Sequence, residues 1–587
     1  MSEDRPKKPF NKERRPYDGD RKPFDRERRP YDEERKPFDR ERRPYDGEKK
    51  PFDRERRTYA GEKKSFDRER RPYDGERKPF DREHRPYDGE KKPFDRERRP
   101  YDGERKPFDR ERRPYDGEKK PFDRERRPYG GDRKPRGPRK ETTDARKLAL
   151  SALCDVTIGG AYSGIALNER LRNAELSLED KRLATSMFYT ALENRMRIEY
   201  VLGQFVERMP EPFIQEVLHL AAAQILYMDR VPDHAAVDEA VKQVKAFGRE
   251  QYAALVNGTL RNLIRARDAG SIQQPDREVS AIRYLSIEHS VPEPIVKRLA
   301  DAYGEQEAER IISFRPQEHW ETVRPNLIDM NDEAFERYLT SRGWEWKKGI
   351  VPHSYHVLRA GDLPSDPDFR RGLFTVQGAS SMLAAEALAP RNGSMLIDAC
   401  AAPGGKASLL CELMQGTGRV YAYELHEHRV ELIKNTAKRL RLYNMRPIQA
   451  DATVLRADNV GLIDGVLLDA PCSGLGVMHN KPDIKYRLKE ANLEEIAALQ
   501  KRLLDTCCQY VKKGGAMVYS TCTILPEENG EQVDAFLERH PEFALDLEGR
   551  WVPEALRDDF VDGKLQLLPG KYPEIDGFFI AKLIRRG

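Results

Sequence analysis

Over the first 140 residues the apolar positions are almost all single aromatic rings. Residues 15–135 repeat with a period of 14. One unit reads Arg71-Pro72-Tyr73-Asp74-Gly75-Glu76-Arg77-Lys78-Pro79-Phe80-Asp81-Arg82-Glu83-His84. It holds two prolines, one glycine and almost no aliphatic side chains, so it cannot bury enough apolar surface to offset chain entropy. Solenoid repeats are longer and carry an aliphatic face that is missing here. Residues 1–140 therefore read as a disordered tail.

From Thr142 the pattern becomes that of folded domains. Between 145 and 267 apolar residues recur at helical spacing, for example over 178–205 and 213–228. No strand-like alternation interrupts them, which predicts an all-helical domain of five to seven helices within 142–270. Residues 275–385 are mixed: helices are expected at 295–303, 307–314 and 332–341, and strands at 323–330 and 355–359, giving a small α+β domain. From Gly393 strands alternate with helices. Strands are predicted at 394–399, 419–425, 446–450, 463–469, 516–521 and 578–583, with helices at 406–414, 427–442, 493–511 and 528–540. That order predicts an α/β doubly wound, mostly parallel sheet, covered by helices on both faces, over 386–587.

Charge divides the chain the same way. Residues 1–140 hold 50 Lys+Arg against 36 Asp+Glu, and the remainder holds 56 against 65. The net +5 thus hides a basic tail on an acidic folded part, which must meet any nucleic acid through local basic patches. Each tail unit sets one Tyr and one Phe among its cations. That composition suits stacking on single-stranded RNA, or a tail that only solvates. No apolar run is long enough for a membrane span, and the charged N-terminus lacks the apolar core of a secretory signal. Seven cysteines, an odd count without a paired CxxC pattern, point to free thiols in a reducing cytoplasm and to no metal site.

In an open α/β sheet, ligands sit beyond the carboxyl ends of the strands. Asp398-Ala399-Cys400-Ala401-Ala402-Pro403-Gly404-Gly405-Lys406 places a Gly-rich loop there, with Gly404 and Gly405 allowing close backbone approach. The following helix N-terminus can face a carboxylate such as the methionyl end of S-adenosylmethionine. Glu424 ends the second strand, where an acid accepts ribose hydroxyls. Asp451 closes the third strand, within reach of an adenine amine, and Asp469 closes the fourth. For each acid alone, helix capping or turn formation is the competing reading. GxGxxG and GxxxxGK[ST] are both absent, which weakens a dinucleotide or P-loop reading. Cys154, Cys411, Cys507 and Cys508 fall on apolar faces, and Cys400 is expected to pack in the cofactor turn. Cys472 and Cys522 differ: each follows a strand end in a polar Ser/Thr/Pro/Gly setting, where a nearby cation such as Lys406 can lower a thiol pKa. A methyl donor beside two thiols is what methylation of a pyrimidine carbon needs.

These motifs resemble the Nop/Sun family of RNA cytosine carbon-5 methyltransferases. The loop 398–406 is similar to its first motif, Asp-Ala-Pro-Cys-Ser-Gly over 469–474 to its fourth, and 519–529 to its sixth. Residues 230–241 and 255–265 resemble the NusB-like RNA-binding domain of a bacterial member. The resemblance implies that Cys522 attacks carbon 6 of the target cytosine and that Asp469 supports the attack at N3. It implies that Cys472 assists release of the adduct, and that Lys406 lies in the same catalytic set. Cys400, Ala401, Ala402, Pro403, Gly404, Gly405, Lys406, Glu424, Asp451 and Asp469 would hold S-adenosylmethionine. The implied partner is 16S ribosomal RNA at or before early assembly, bound by a cytoplasmic monomer. Transfer RNA as substrate and a non-catalytic RNA-binding module are the alternatives. The chain departs from the family pattern at Arg324-Pro325-Asn326, Gly378 and His479-Asn480-Lys481, positions on the RNA side or in the structural frame.

Overall fold

The computed structural model describes residues 144–316, 318, 320–358 and 362–586. The expected disordered repeats lie outside them. Asp144 accepts the Arg146 and Lys147 amides (2.9 and 3.1 Å) and so caps α1 (Ala145–Thr157). Then follow α2 (Ser163–Arg172), α3 (Leu178–Glu193), α4 (Arg195–Leu202), α5 (Pro212–Tyr227), α6 (Asp233–Ala246) and α7 (Ala253–Asp268). Their apolar stripes meet in one core that includes Leu148, Leu153, Phe188, Leu192, Leu218 and Leu260. The periodicity over 178–205 hides a break. At Asn194 the backbone leaves the helical region (φ −103°, ψ 17°), and its side-chain amide donates to the Thr190 carbonyl (2.9 Å), ending α3.

Three helices come next: α8 (Ala281–His289), which the sequence reading missed, α9 (Glu293–Tyr303) and α10 (Glu305–Ser313). A small antiparallel sheet of order β2-β3-β1-β4 follows, formed by β1 (Trp320–Pro325), β2 (Glu345–Lys348), β3 (Tyr355–Leu358) and β4 (Phe374–Val376). It carries α11 (Asp332–Ser341) and α12 (Pro367–Arg371). The strand expected at 323–330 is displaced toward the N-terminus. Asn326 stops it by accepting the Ile328 amide (3.1 Å) and donating to the Gly372 and Leu440 carbonyls (3.0 and 3.3 Å).

The large sheet has the parallel order β9-β8-β5-β6-β7. Its strands are β5 (Met395–Asp398), β6 (Arg419–Glu424), β7 (Met445–Gln449), β8 (Ile463–Asp469) and β9 (Val511–Thr521). On one face pack α13 (Ala379–Leu388), α14 (Gly405–Leu413) and α15 (Glu427–Leu440). On the other lie α17 (Glu490–Cys507) and α18 (Gly530–Arg539), with the short α16 (Ile484–Arg487) ahead of them in the chain. The sheet is therefore doubly wound. Beyond β9 it turns antiparallel through β13 (Phe578–Arg585), β12 (Lys564–Leu567) and β11 (Phe560–Val561), and β10 (Phe543–Leu545) also pairs with β13. Of these four, only β13, eight residues long and strongly apolar, was expected from the sequence.

Arg324 and Asn326 belong to the frame rather than to an RNA-facing surface: both are fully buried. Arg324 donates to Glu412 Oε2 (2.6 Å), Ser408 Oγ (2.8 Å) and Gln377 Oε1 (2.9 Å), tying β1 to α14 and to the entry of α13. Glu412→Ala would strand a buried guanidinium. We expect a loss of about 3–5 kcal/mol in unfolding free energy, read from the denaturant midpoint. A loss under about 1 kcal/mol, the scale of an exposed pair, would contradict the clamp.

Candidate functional site

The parallel order brings the carboxyl ends of β5, β6, β8 and β9 to one edge, and the polar motifs converge there. After β5 the chain turns at Gly404 (φ +105°), a backbone region that disfavours side chains. A Cβ there would come within 3.3 Å of Thr436 and 3.4 Å of Ile433, because the loop lies close against α15. The Ala401 amide donates to the Tyr423 carbonyl (2.9 Å), and the peptide before Pro403 is cis. Cys400 packs against the core on the α17 side, and burial holds its thiol well above the ordinary value.

The acids divide. Asp398 is buried and neither oxygen makes a direct hydrogen bond. Burial pushes its pKa up to about 7, Asp469 adds to this, and Lys406 and the nearby Cys400 and Ala407 amides offset part of it. Glu424 is nearly buried at the end of β6. Its Oε1 accepts the His426 amide (3.0 Å), and Arg429 lies 3.3 Å from its Oε2. Asp451 lies two residues past β7. Its Oδ1 accepts both the amide and the hydroxyl of Thr453 (2.8 and 2.6 Å), which lowers its pKa. That bonding is the turn-forming arrangement weighed above.

Asp469 is the hub. Its Oδ2 accepts Lys406 Nζ (2.7 Å) and its Oδ1 accepts Ser520 Oγ (2.9 Å). Burial pulls the Lys406 pKa down, but Asp469 and then Asp398 outweigh it and hold the ammonium above its ordinary value. Beside this pair Cys472 Sγ and Cys522 Sγ stand 3.3 Å apart, both as free thiols. The hydrogen bond from Cys472 lowers the Cys522 pKa. Lys406 and Lys481 act the same way, and burial and Asp469 oppose them. The same hydrogen bond, with burial, drives Cys472 well above the ordinary thiol value. Of the pair, Cys522 is thus the one whose ionisation is eased and Cys472 the one whose ionisation is opposed.

Glu528 holds both cysteine loops, and the sequence reading gave it no role. This fully buried carboxylate accepts the Ser473 amide (2.9 Å), Gln500 Nε2 (2.9 Å) and Thr523 Oγ1 (3.2 Å), while the Ser473 and Thr523 hydroxyls meet at 2.6 Å. The carboxylate belongs to the second of two adjacent glutamates, Glu527 and Glu528, and no local feature marks it as the buried one. Behind these loops, α8–α10 form a core with Leu475, Met478, Ile524 and Leu525, and Tyr303 donates to the Ile524 carbonyl (2.5 Å).

Comparison with known proteins gives the family of each folded part. Residues 385–584 match the family described as 16S rRNA methyltransferase RsmB/F, and 143–265 match the NusB family. The chain is 36% identical over 449 residues to the probable ribosomal RNA small subunit methyltransferase B of Bacillus subtilis, covering 76% of this chain and 99% of that protein. It is 31% identical to the probable enzyme of the same name from Synechocystis sp., covering 75% and 99%. The crystal structure of PH0851 superposes with a TM-score of 0.64 at 25% identity, covering 76% of this chain and all of that one.

Proposed function

The chain belongs to the 16S rRNA methyltransferase RsmB/F family, and on that premise we propose that it methylates carbon 5 of a cytosine in 16S ribosomal RNA through a covalent bond to Cys522. The observation that carries the reading is the 3.3 Å pair of thiols beside the Lys406–Asp469 pair at the carboxyl edge of the sheet. The cofactor is S-adenosylmethionine, which supplies an electrophilic methyl group.

The residues present suit that cofactor. The loop 400–406 leads into the N-terminus of α14, whose amides and dipole favour a carboxylate. Glu424 ends the next strand with its carboxylate nearly buried, as ribose recognition needs. Asp398 supplies a buried carboxylate whose oxygens have no direct partner, beneath the same loop. Asp451 joins this set with one oxygen already committed to Thr453.

The Cys522 thiolate adds to carbon 6, and the ring electrons move to N3. There Asp469, oriented by Lys406 and Ser520 and carrying a proton when the base is bound, donates that proton's hydrogen bond to N3. The resulting enamine carbon 5 takes the methyl group. Loss of the carbon-5 proton to a base then allows the Cys522–carbon-6 bond to break, and the electrons return to sulfur. Cys472, held as a thiol next to that sulfur, assists release. The target base must leave its stack to reach the edge of the sheet.

The reading is tested by methyl transfer from labelled S-adenosylmethionine to unmethylated 16S RNA and to bulk transfer RNA. Label is expected in 5-methylcytosine of 16S RNA. Label only in transfer RNA would move the substrate. No label in either, with cofactor bound, would favour an RNA-binding module. Among the described residues no helix is long and apolar enough to cross a membrane.

A further inference from the structure

A cleft of about 930 Å³ opens between the helical domain and the segment that follows the Cys472 loop. One wall is the start of α2 with Tyr162, and the other is the turn carrying Lys481 and Ile484. The volume is at the upper end of small-ligand sites, enough for nucleotide-sized groups. Ile484, on the cleft wall, packs against Gly474, the residue that separates it from Cys522. A Cβ on Gly474 would come 3.1 Å from Ile484 Cδ1 and 4.0 Å from Cys522 Sγ. Lys481 is also close enough to help lower the Cys522 pKa.

Tyr162 is built as a platform. It is 62% exposed, an unusual state for a large aromatic ring. Its orientation is nevertheless fixed, because the Arg487 guanidinium stacks on the ring at 4.5 Å from the centroid. Arg487 is itself anchored to the Gly160 carbonyl (2.9 Å), the Ala161 carbonyl and Asp483 (3.0 Å). Asp483 also accepts Ser163 Oγ (2.5 Å), next in chain to Tyr162. The neighbouring Tyr486 and Lys485 donate to the Leu192 and Glu193 carbonyls at the end of α3 (3.0 and 3.1 Å). The turn 483–487 therefore locks the two walls at a fixed spacing, and the ring costs little entropy to order on binding.

We propose that this cleft binds a single-stranded RNA nucleotide flanking the target cytosine. Its base stacks on the open face of Tyr162, and its phosphate lies toward Lys481 and Arg172. The inference rests on the rRNA methyltransferase reading for the identity of the strand. It does not rest on Cys522 being the nucleophile. RNA suits the cleft better than an apolar peptide, because one fixed aromatic face flanked by two cations is how single strands are held without base-specific contacts. Two acids also border the cleft: Asp483 is paired with Arg487, and Glu169 lies on the α2 wall with Arg172, which places the phosphate nearer Lys481 than Arg172.

The test compares the full chain with Tyr162→Ala and Tyr162→Phe for binding to an unmethylated 16S RNA fragment, followed by methyl transfer. Tyr162→Ala should weaken RNA binding about tenfold and raise KM similarly, and Tyr162→Phe, which keeps the ring, should stay within about twofold. Affinity for S-adenosylmethionine and the thermal midpoint should not move, since the ring is exposed. Unchanged RNA affinity in Tyr162→Ala would overturn the proposal, as would an equal loss in Tyr162→Phe. If the wild type bound RNA but transferred no methyl group, the functional reading would fail, while the Tyr162→Ala affinity would still decide the cleft.

Discussion

Cys522→Ala is expected to abolish methyl transfer, with kcat/KM falling by on the order of 10³-fold or more, as when a nucleophile is removed. The affinity for S-adenosylmethionine should stay within a few fold, because Cys522 lies on the β9 side of the pocket and the cofactor loop leaves β5. A folded variant that lost cofactor binding would contradict the nucleophile assignment. The pH dependence follows from the same geometry. The thiolate is the reactive form, so the rate of adduct formation should rise with pH and level off above the Cys522 pKa. The Cys472 hydrogen bond places that inflection below the ordinary thiol value. A single inflection at or above the ordinary value in the wild type would show that the pair does not activate Cys522.

Cys472→Ala should separate attack from release. The variant keeps Cys522, Asp469 and Lys406, so the bond to carbon 6 still forms. It lacks the thiol 3.3 Å from the leaving sulfur, so the adduct should accumulate. On a denaturing gel a large fraction of the protein is expected to migrate as a protein–RNA band, while steady-state turnover falls by about 10²-fold or more, in the range of a lost general acid. The substitution also removes the hydrogen bond that lowers the Cys522 pKa, so the inflection for adduct formation should shift to higher pH. A Cys472→Ala protein that turned over normally and gave no shifted band would remove Cys472 from the release step. A shifted band that persisted in the Cys522→Ala, Cys472→Ala double variant would assign the covalent bond to another residue.

Much of the site was legible because its parts sit at the ends of regular elements. The apolar run 466–468 marks a buried strand, and the polar Asp469 that follows marks its end. The same contrast located Asp398 and Glu424. Asp451 was legible as a polar residue after a strand, but not the commitment of its Oδ1 to Thr453. Glu528 was missed because nothing local distinguishes a buried carboxylate from a solvated one. Its partners Ser473 and Gln500 are 55 and 28 residues away. Helices α9 and α10 read as ordinary amphipathic helices and α8 was not read at all, yet their apolar residues cover the outside of both cysteine loops.

The sequence by itself determined the order of elements, the split between a basic tail and an acidic folded part, and the strand ends at which the chemistry is displayed. These follow from periodicity and composition, which act over a few residues. Only the tertiary structure decided that Lys406 meets Asp469, that Arg324 is a buried clamp, that the sheet extends antiparallel through β10–β13, and that Arg487 stacks on Tyr162. The Lys406–Asp469, Arg324–Glu412 and Tyr162–Arg487 contacts join residues 63, 88 and 325 positions apart in the chain. Their energies depend on burial and geometry created by the whole fold, so no local preference records them.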